Sequence, residues 1–90
     1  MTELHAILRG RVQMVMMRDY VQRKASGLGL TGTVQNLNDG TVEVVASGPQ
    51  HALETLAEKL RKGSVLSRVD EATIEFRIPT QSFDDFHIVY

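Results

Sequence analysis

Between Gly10 and Arg18 the chain reads Gly-Arg-Val-Gln-Met-Val-Met-Met-Arg, a run that joins a strand-like segment to a helix-like one and ends in an arginine. A backbone entering a helix turns several unpaired N–H groups toward one point, and a guanidinium beside them completes a cradle for a tetrahedral anion. Arg18 falls in the first turn of the expected helix, where a cation opposes the helix dipole at a typical cost of ~0.3–1 kcal/mol. A bound anion accounts for that placement better than helix stability does. The surrounding charge agrees with this. Residues 1–30 carry Arg9, Arg11, Arg18, Arg23 and Lys24 against Glu3 and Asp19, whereas the chain as a whole has a net charge of -1.

The elements that must position this loop follow from periodicity. Leu4 to Arg9 reads as a first strand running straight into it. Met17, Val21, Ala25 and Leu28 then recur at helical spacing with Tyr20 alongside, and Gly29 is placed to end the helix. Thr31–Leu37 and Thr41–Ser47 alternate about Asn38-Asp39-Gly40, which predicts a hairpin with Val42, Val44 and Ala46 on its buried face. Gly48-Pro49 opens a second helix with Pro49 at its first position, Leu53, Leu56, Ala57 and Leu60 as its buried stripe, and Gly63 beyond its end. Ala72, Ile74, Phe76 and Ile78 alternate with Thr73, Glu75 and Arg77 up to Pro79, and Phe86 to Tyr90 gives a last short strand.

The order is β-α-β-β-α-β plus a short C-terminal strand. That is the α+β ferredoxin-like sandwich: a mostly antiparallel sheet with both helices on one face. Its other face is expected to be wetter, with Thr41, Glu43, Thr73, Glu75 and Arg77 on it. Ninety residues suffice for one such core and not for two, so residues 1–90 are expected to form a single domain.

Composition narrows the chemistry. With 42% hydrophobic and 23% charged residues the chain is an ordinary globular one. No apolar run approaches the ~20 residues that cross a bilayer and no leader is evident, so the expected location is cytoplasmic and no membrane is expected as partner. The absence of cysteine removes disulfides and thiolate catalysis. His5, His51 and His87 fall on three different elements without ligand spacing, so no metal is expected. The slightly negative net charge argues against a nucleic-acid partner. The RNA-recognition fold has this β-α order, but the paired aromatics it needs on the central strands are missing. Asp84-Asp85 and Asp70-Glu71 read as solvated pairs, and a monomer is the default without a large apolar patch.

Gly10-Arg11-Val12-Gln13, Val15 and Arg18, followed by Gly32, Val34, Asn36, Asp39-Gly40, Val42-Glu43-Val44, Ala46 and Gly48, resemble the acylphosphatase family. The likeness continues through Leu28-Gly29-Leu30 and the closing Phe86-His87-Ile88-Val89-Tyr90, and so covers essentially the whole chain. It implies an enzyme that hydrolyses small acyl phosphates to carboxylate and inorganic phosphate, without cofactor. In that enzyme Arg18 clamps the phosphoryl group, the N–H groups of Met14, Val15, Met16 and Met17 bind its oxygens, and Asn36 holds the attacking water. Inorganic phosphate or sulfate is then the product-like ligand. The chemistry fits the absence of an acid–base pair, because a carboxylate leaves readily and a loose phosphoryl-transfer transition state asks little of a general base.

Two positions depart from the family signature. Met17 stands where an aromatic is usual, a mild change for a flexible core side chain. Met14 stands where glycine is usual. If the loop needs positive φ there, the side chain costs on the order of 1–3 kcal/mol, or the loop takes another path and misdirects its N–H groups. The alternative function is therefore a catalytically weakened anion-binding or regulatory module on the same fold.

Overall fold

A computed structural model of the chain describes residues 1–90. The elements follow in the order β1 (Thr2–Arg11), α1 (Met17–Gly27), β2 (Thr31–Asn36), β3 (Val42–Gly48), α2 (Gln50–Lys62), β4 (Arg68–Arg77) and β5 (Phe86–Val89). The five strands form one sheet in the order β4-β1-β3-β2-β5. β1 pairs antiparallel with β3 and β4, β2 antiparallel with β3, and only β2 and β5 run parallel. The expected ferredoxin-like sandwich is what forms.

One apolar cluster lies between the sheet and the helices. Leu4, Ala6 and Leu8 of β1, Val34 of β2 and Val42, Val44 and Ala46 of β3 point into it from alternate strand positions. Met17, Val21 and Ala25 of α1 and Leu53, Leu56 and Leu60 of α2 meet them from above. Each fully buried leucine of that set contributes roughly 1.5–3 kcal/mol by leaving water. α1 lies over β2 and β5, and α2 over β1, β3 and β4. α1 stops where Gly29, at φ 73°, lets its N–H reach the Ser26 carbonyl while Leu30 N–H reaches that of Ala25, both at 3.0 Å.

Three details differ from the periodicity reading. β1 extends two residues beyond Leu4 and Arg9 at each end, because β3 and β4 pair with it on both sides. Pro49 precedes α2 instead of opening it, with an extended ψ of 145°. The helix-free face is drier than its polar residues suggest: Val45 and Ser47 of β3, and Thr41 just before it, are nearly inaccessible.

The physical reason for part of that dryness is topological. β4 and β5 occupy opposite edges, so residues 78–85 must cross the width of the sheet between them. Glu3 anchors the crossing. Its carboxylate is fully buried, accepts from Arg77 Nε at 2.6 Å and from the N–H and hydroxyl of Thr80 at 3.2 and 3.0 Å. Burial alone would raise the Glu3 pKa; the Arg77 and Thr80 hydrogen bonds outweigh it and hold the carboxyl below its ordinary value. The strap so fixed delivers β5 to the edge next to the N-terminal end of α1.

Candidate active site

Gly10 decides where the chain leaves the sheet. The register between β1 and β4 shifts at Arg9/Gly10, and Gly10 takes φ 125° there. A Cβ on it would collide with the Arg68 carbonyl and lie 2.8 Å from Asp70 N, so no other residue fits without moving β4. Beyond Arg11 the loop is pinned at alternate points. Val12 and Val15 are buried in the core, and Gln13 Nε2 donates to the carbonyls of Leu37 and Thr41, each at 2.8 Å. Ser64, after α2, donates its hydroxyl to the Val15 carbonyl at 3.3 Å.

Between those anchors Met14 and Met16 stand outward, 97% and 67% exposed, with φ 59° and 60°. The loop therefore does adopt positive φ at Met14, and at Met16 as well. Left-handed residues interspersed in a loop are the backbone pattern that can bring successive N–H groups to one side. None of the N–H groups of Met14, Val15, Met16 or Met17 donates to a protein acceptor; the first amide bonded back to the loop is Tyr20 N–H, to the Met16 carbonyl at 3.0 Å.

A cavity of about 210 Å³ opens at this loop. Arg18, Asn36 and Asp19 line it, with Met14, Met16 and Met17 of the loop and Tyr90 at its edge. Val15 turns away into the core and into a neighbouring cleft. Arg18 makes no ion pair or hydrogen bond within the chain; its guanidinium carbon lies 4.9 Å from the centroid of the Tyr90 ring, a cation–π contact. Asn36, the last residue of β2, has a buried Oδ1 to which no protein group donates. A buried carbonyl oxygen without a donor costs about 1–3 kcal/mol unless a ligand or water satisfies it.

The strand that carries Asn36 is itself held. In the turn to β3, Asp39 Oδ1 accepts from Thr41 N–H at 3.0 Å and from its hydroxyl at 2.6 Å, which keeps the Asp39 carboxyl below its ordinary pKa. Gln13 then ties that turn to the loop.

The larger cleft, about 500 Å³, lies between α1 and α2 and carries Arg23, Lys24, Lys59 and Lys62. It has cations but no unpartnered buried acceptor, so the smaller cavity has the more complete chemistry. The remaining candidates are elsewhere. His5 pairs with Glu43 and His87 with Asp85, at 2.8 and 2.9 Å, and His51 is exposed on α2. Asp70 pairs with Arg68 and Glu71 with Arg9. No three His, Cys, Asp or Glu side chains are grouped so as to hold a metal ion.

Sequence reasoning left Gln13 and Ser64 without a role. Gln13 lies inside the quoted loop run and was in view, but Ser64 reaches the loop only through the fold. Tyr90 carried no signal of contact with Arg18.

Fold and loop together define the class: a ferredoxin-like sandwich with a run of unbonded amides and an unpaired arginine where its first strand passes into its first helix. Comparison with known proteins sharpens this. The acylphosphatase family model matches residues 4–88. An acylphosphatase of Thermus thermophilus is 46% identical over 84% of this chain and 86% of its own length. The crystal structure of acylphosphatase from Bacillus subtilis superposes with a TM-score of 0.95 at 37% identity, covering 100% of both chains. A HypF structure in phosphate- and nucleotide-bound form matches all of this chain with 12% of its own, at TM-score 0.84 and 26% identity. The chain belongs to the acylphosphatase family.

Proposed function

We propose that the chain hydrolyses the carboxyl–phosphate bond of small acyl phosphates by in-line attack of water, with Arg18 and Asn36 as its catalytic residues and no metal or cofactor. The phosphoryl oxygens accept from the N–H groups of Met14, Val15, Met16 and Met17 and from the Arg18 guanidinium. Asn36 Oδ1 accepts a hydrogen from the attacking water and so aims its oxygen at phosphorus. The new P–O bond forms as the bond to the acyl oxygen breaks. Its electron pair leaves on the carboxylate, and the water proton passes to a phosphate oxygen or to solvent. Fixed donors around the equatorial oxygens stabilise the redistributed charge without reorganising.

The observation that carries this reading is that Asn36, whose buried Oδ1 has no donor within the chain, lines the same small cavity as an unpaired guanidinium. A weakened module on the same fold is not favoured. The relatives that match over most of the chain are acylphosphatases, and the Met14 backbone holds positive φ instead of taking another path. The same proposal takes residues 1–90 as one domain acting as a cytoplasmic monomer. No helix is long and apolar enough to cross a membrane.

Steady-state hydrolysis of benzoyl phosphate tests the roles. Arg18→Ala is expected to raise the barrier by at least ~3 kcal/mol, by analogy with loss of one oxyanion donor. Asn36→Ala is expected to lower kcat while phosphate still binds. Equal rates for the Asn36 variant and the unaltered chain would remove the water-holder.

A further inference from the structure

We propose that Met14, Met16 and Tyr90 form an apolar collar at the mouth of the cavity that selects acyl phosphates with apolar acyl groups, aromatic or branched, over small ones. The inference rests on the placement of the phosphoryl group argued above. With that group held by Arg18 and the loop, the acyl group has to project through the open side of the cavity. The residues that both line the cavity and stand most exposed mark that side, and they are Met14, Met16 and Tyr90, at 97%, 67% and 93% exposed.

All three present apolar bodies to one small opening. A thioether stem is flexible and polarisable, and packs well against an aromatic ring. The ring of Tyr90 is fixed near Arg18 by the cation–π contact, so it stands at the rim and not free in solvent. Neither methionine side chain contributes to the core, yet both sit on left-handed backbone that a side chain burdens and glycine adopts freely. Backbone outliers of this kind concentrate at sites that handle ligands.

The test uses two phosphonates whose P–C bond cannot be hydrolysed, methylphosphonate and benzylphosphonate, with affinities measured by titration calorimetry. Both carry the same head group, so any change in the grip of the loop cancels in their affinity ratio. The unaltered chain is expected to bind benzylphosphonate about tenfold more tightly, the factor an apolar contact of this size supports. Met14→Gly/Met16→Gly removes both side chains and is expected to bring the ratio near one, and Tyr90→Ala to lower it by a smaller factor. A ratio near one in the unaltered chain, or a preference that survives both variants, overturns the collar. Hydrolysis of acetyl and benzoyl phosphate is followed in parallel. If neither is cleaved, the hydrolase reading fails, while the phosphonate ratio still decides the collar.

Discussion

Replacing Met14 by glycine should make this protein more stable, against the usual direction of a side-chain deletion. Met14 is 97% exposed, so truncation removes almost no packing. Its backbone sits at φ 59°, where an L side chain crowds the following carbonyl at about 1–2 kcal/mol. Glycine relieves that crowding but adds conformational freedom to the unfolded chain, a counter-term of about 0.4–1 kcal/mol. At the midpoints of those ranges the expected net gain is about 0.8 kcal/mol, which for a domain of this size raises Tm by about 3–6 °C. Thermal and urea unfolding followed by circular dichroism measure it, with Met14→Ala as the control. Alanine keeps the crowded Cβ and should show no gain. Destabilisation by glycine, or an equal gain from alanine, would refute the claim that the loop is strained at this residue.

Other perturbations follow from the same structure. Glu3→Gln leaves the Arg77 guanidinium without its buried partner and should cost about 2–3 kcal/mol in urea unfolding, less than a fully buried pair because Arg77 is part-exposed. The folded pKa of Glu3 lies below its ordinary 4.5, so its contribution is complete above that value and is lost as pH falls through the folded one. The acid limb of the stability curve should accordingly flatten in Glu3→Gln; an unchanged limb would contradict the pairing. Gly10→Ala should cost about 2–4 kcal/mol through the collision with the Arg68 carbonyl, read as a lowered urea midpoint. Gln13→Ala cuts both ties to Leu37 and Thr41 and should lower kcat/KM about 10–100-fold with a stability loss of only about 1–2 kcal/mol.

What the sequence made legible was local. The Met17, Val21, Ala25 stripe and the Val42, Val44, Ala46 alternation each state their own buried face, and the structure buries all six. Non-local cover was not legible. Thr41 and Ser47 fall on the outward-facing positions of the alternation, yet they are buried: Thr41 is folded into the turn by its bonds to Asp39, Leu37 and Gln13, and Ser47 lies between Glu3 and Thr31 in the sheet. The skipped register at Gly10 depends on which strand lies next to β1, which no period encodes. Arg18 could be placed at a helix start from spacing alone. That Asn36 shares its cavity came from family resemblance, since nothing in a 17-residue gap fixes the meeting of a helix start with a strand end. Met14 was a conflict between residue type and expected backbone, and the structure resolves it as tolerated strain.

The most direct measurement is a crystal soaked in inorganic phosphate. Phosphate should sit with its oxygens within hydrogen-bond distance of the Met14–Met17 N–H groups and the Arg18 guanidinium, with the Asn36 carboxamide on the side from which water attacks. Phosphate found only between α1 and α2, among Arg23, Lys24, Lys59 and Lys62, with the loop N–H groups directed elsewhere, would contradict the account.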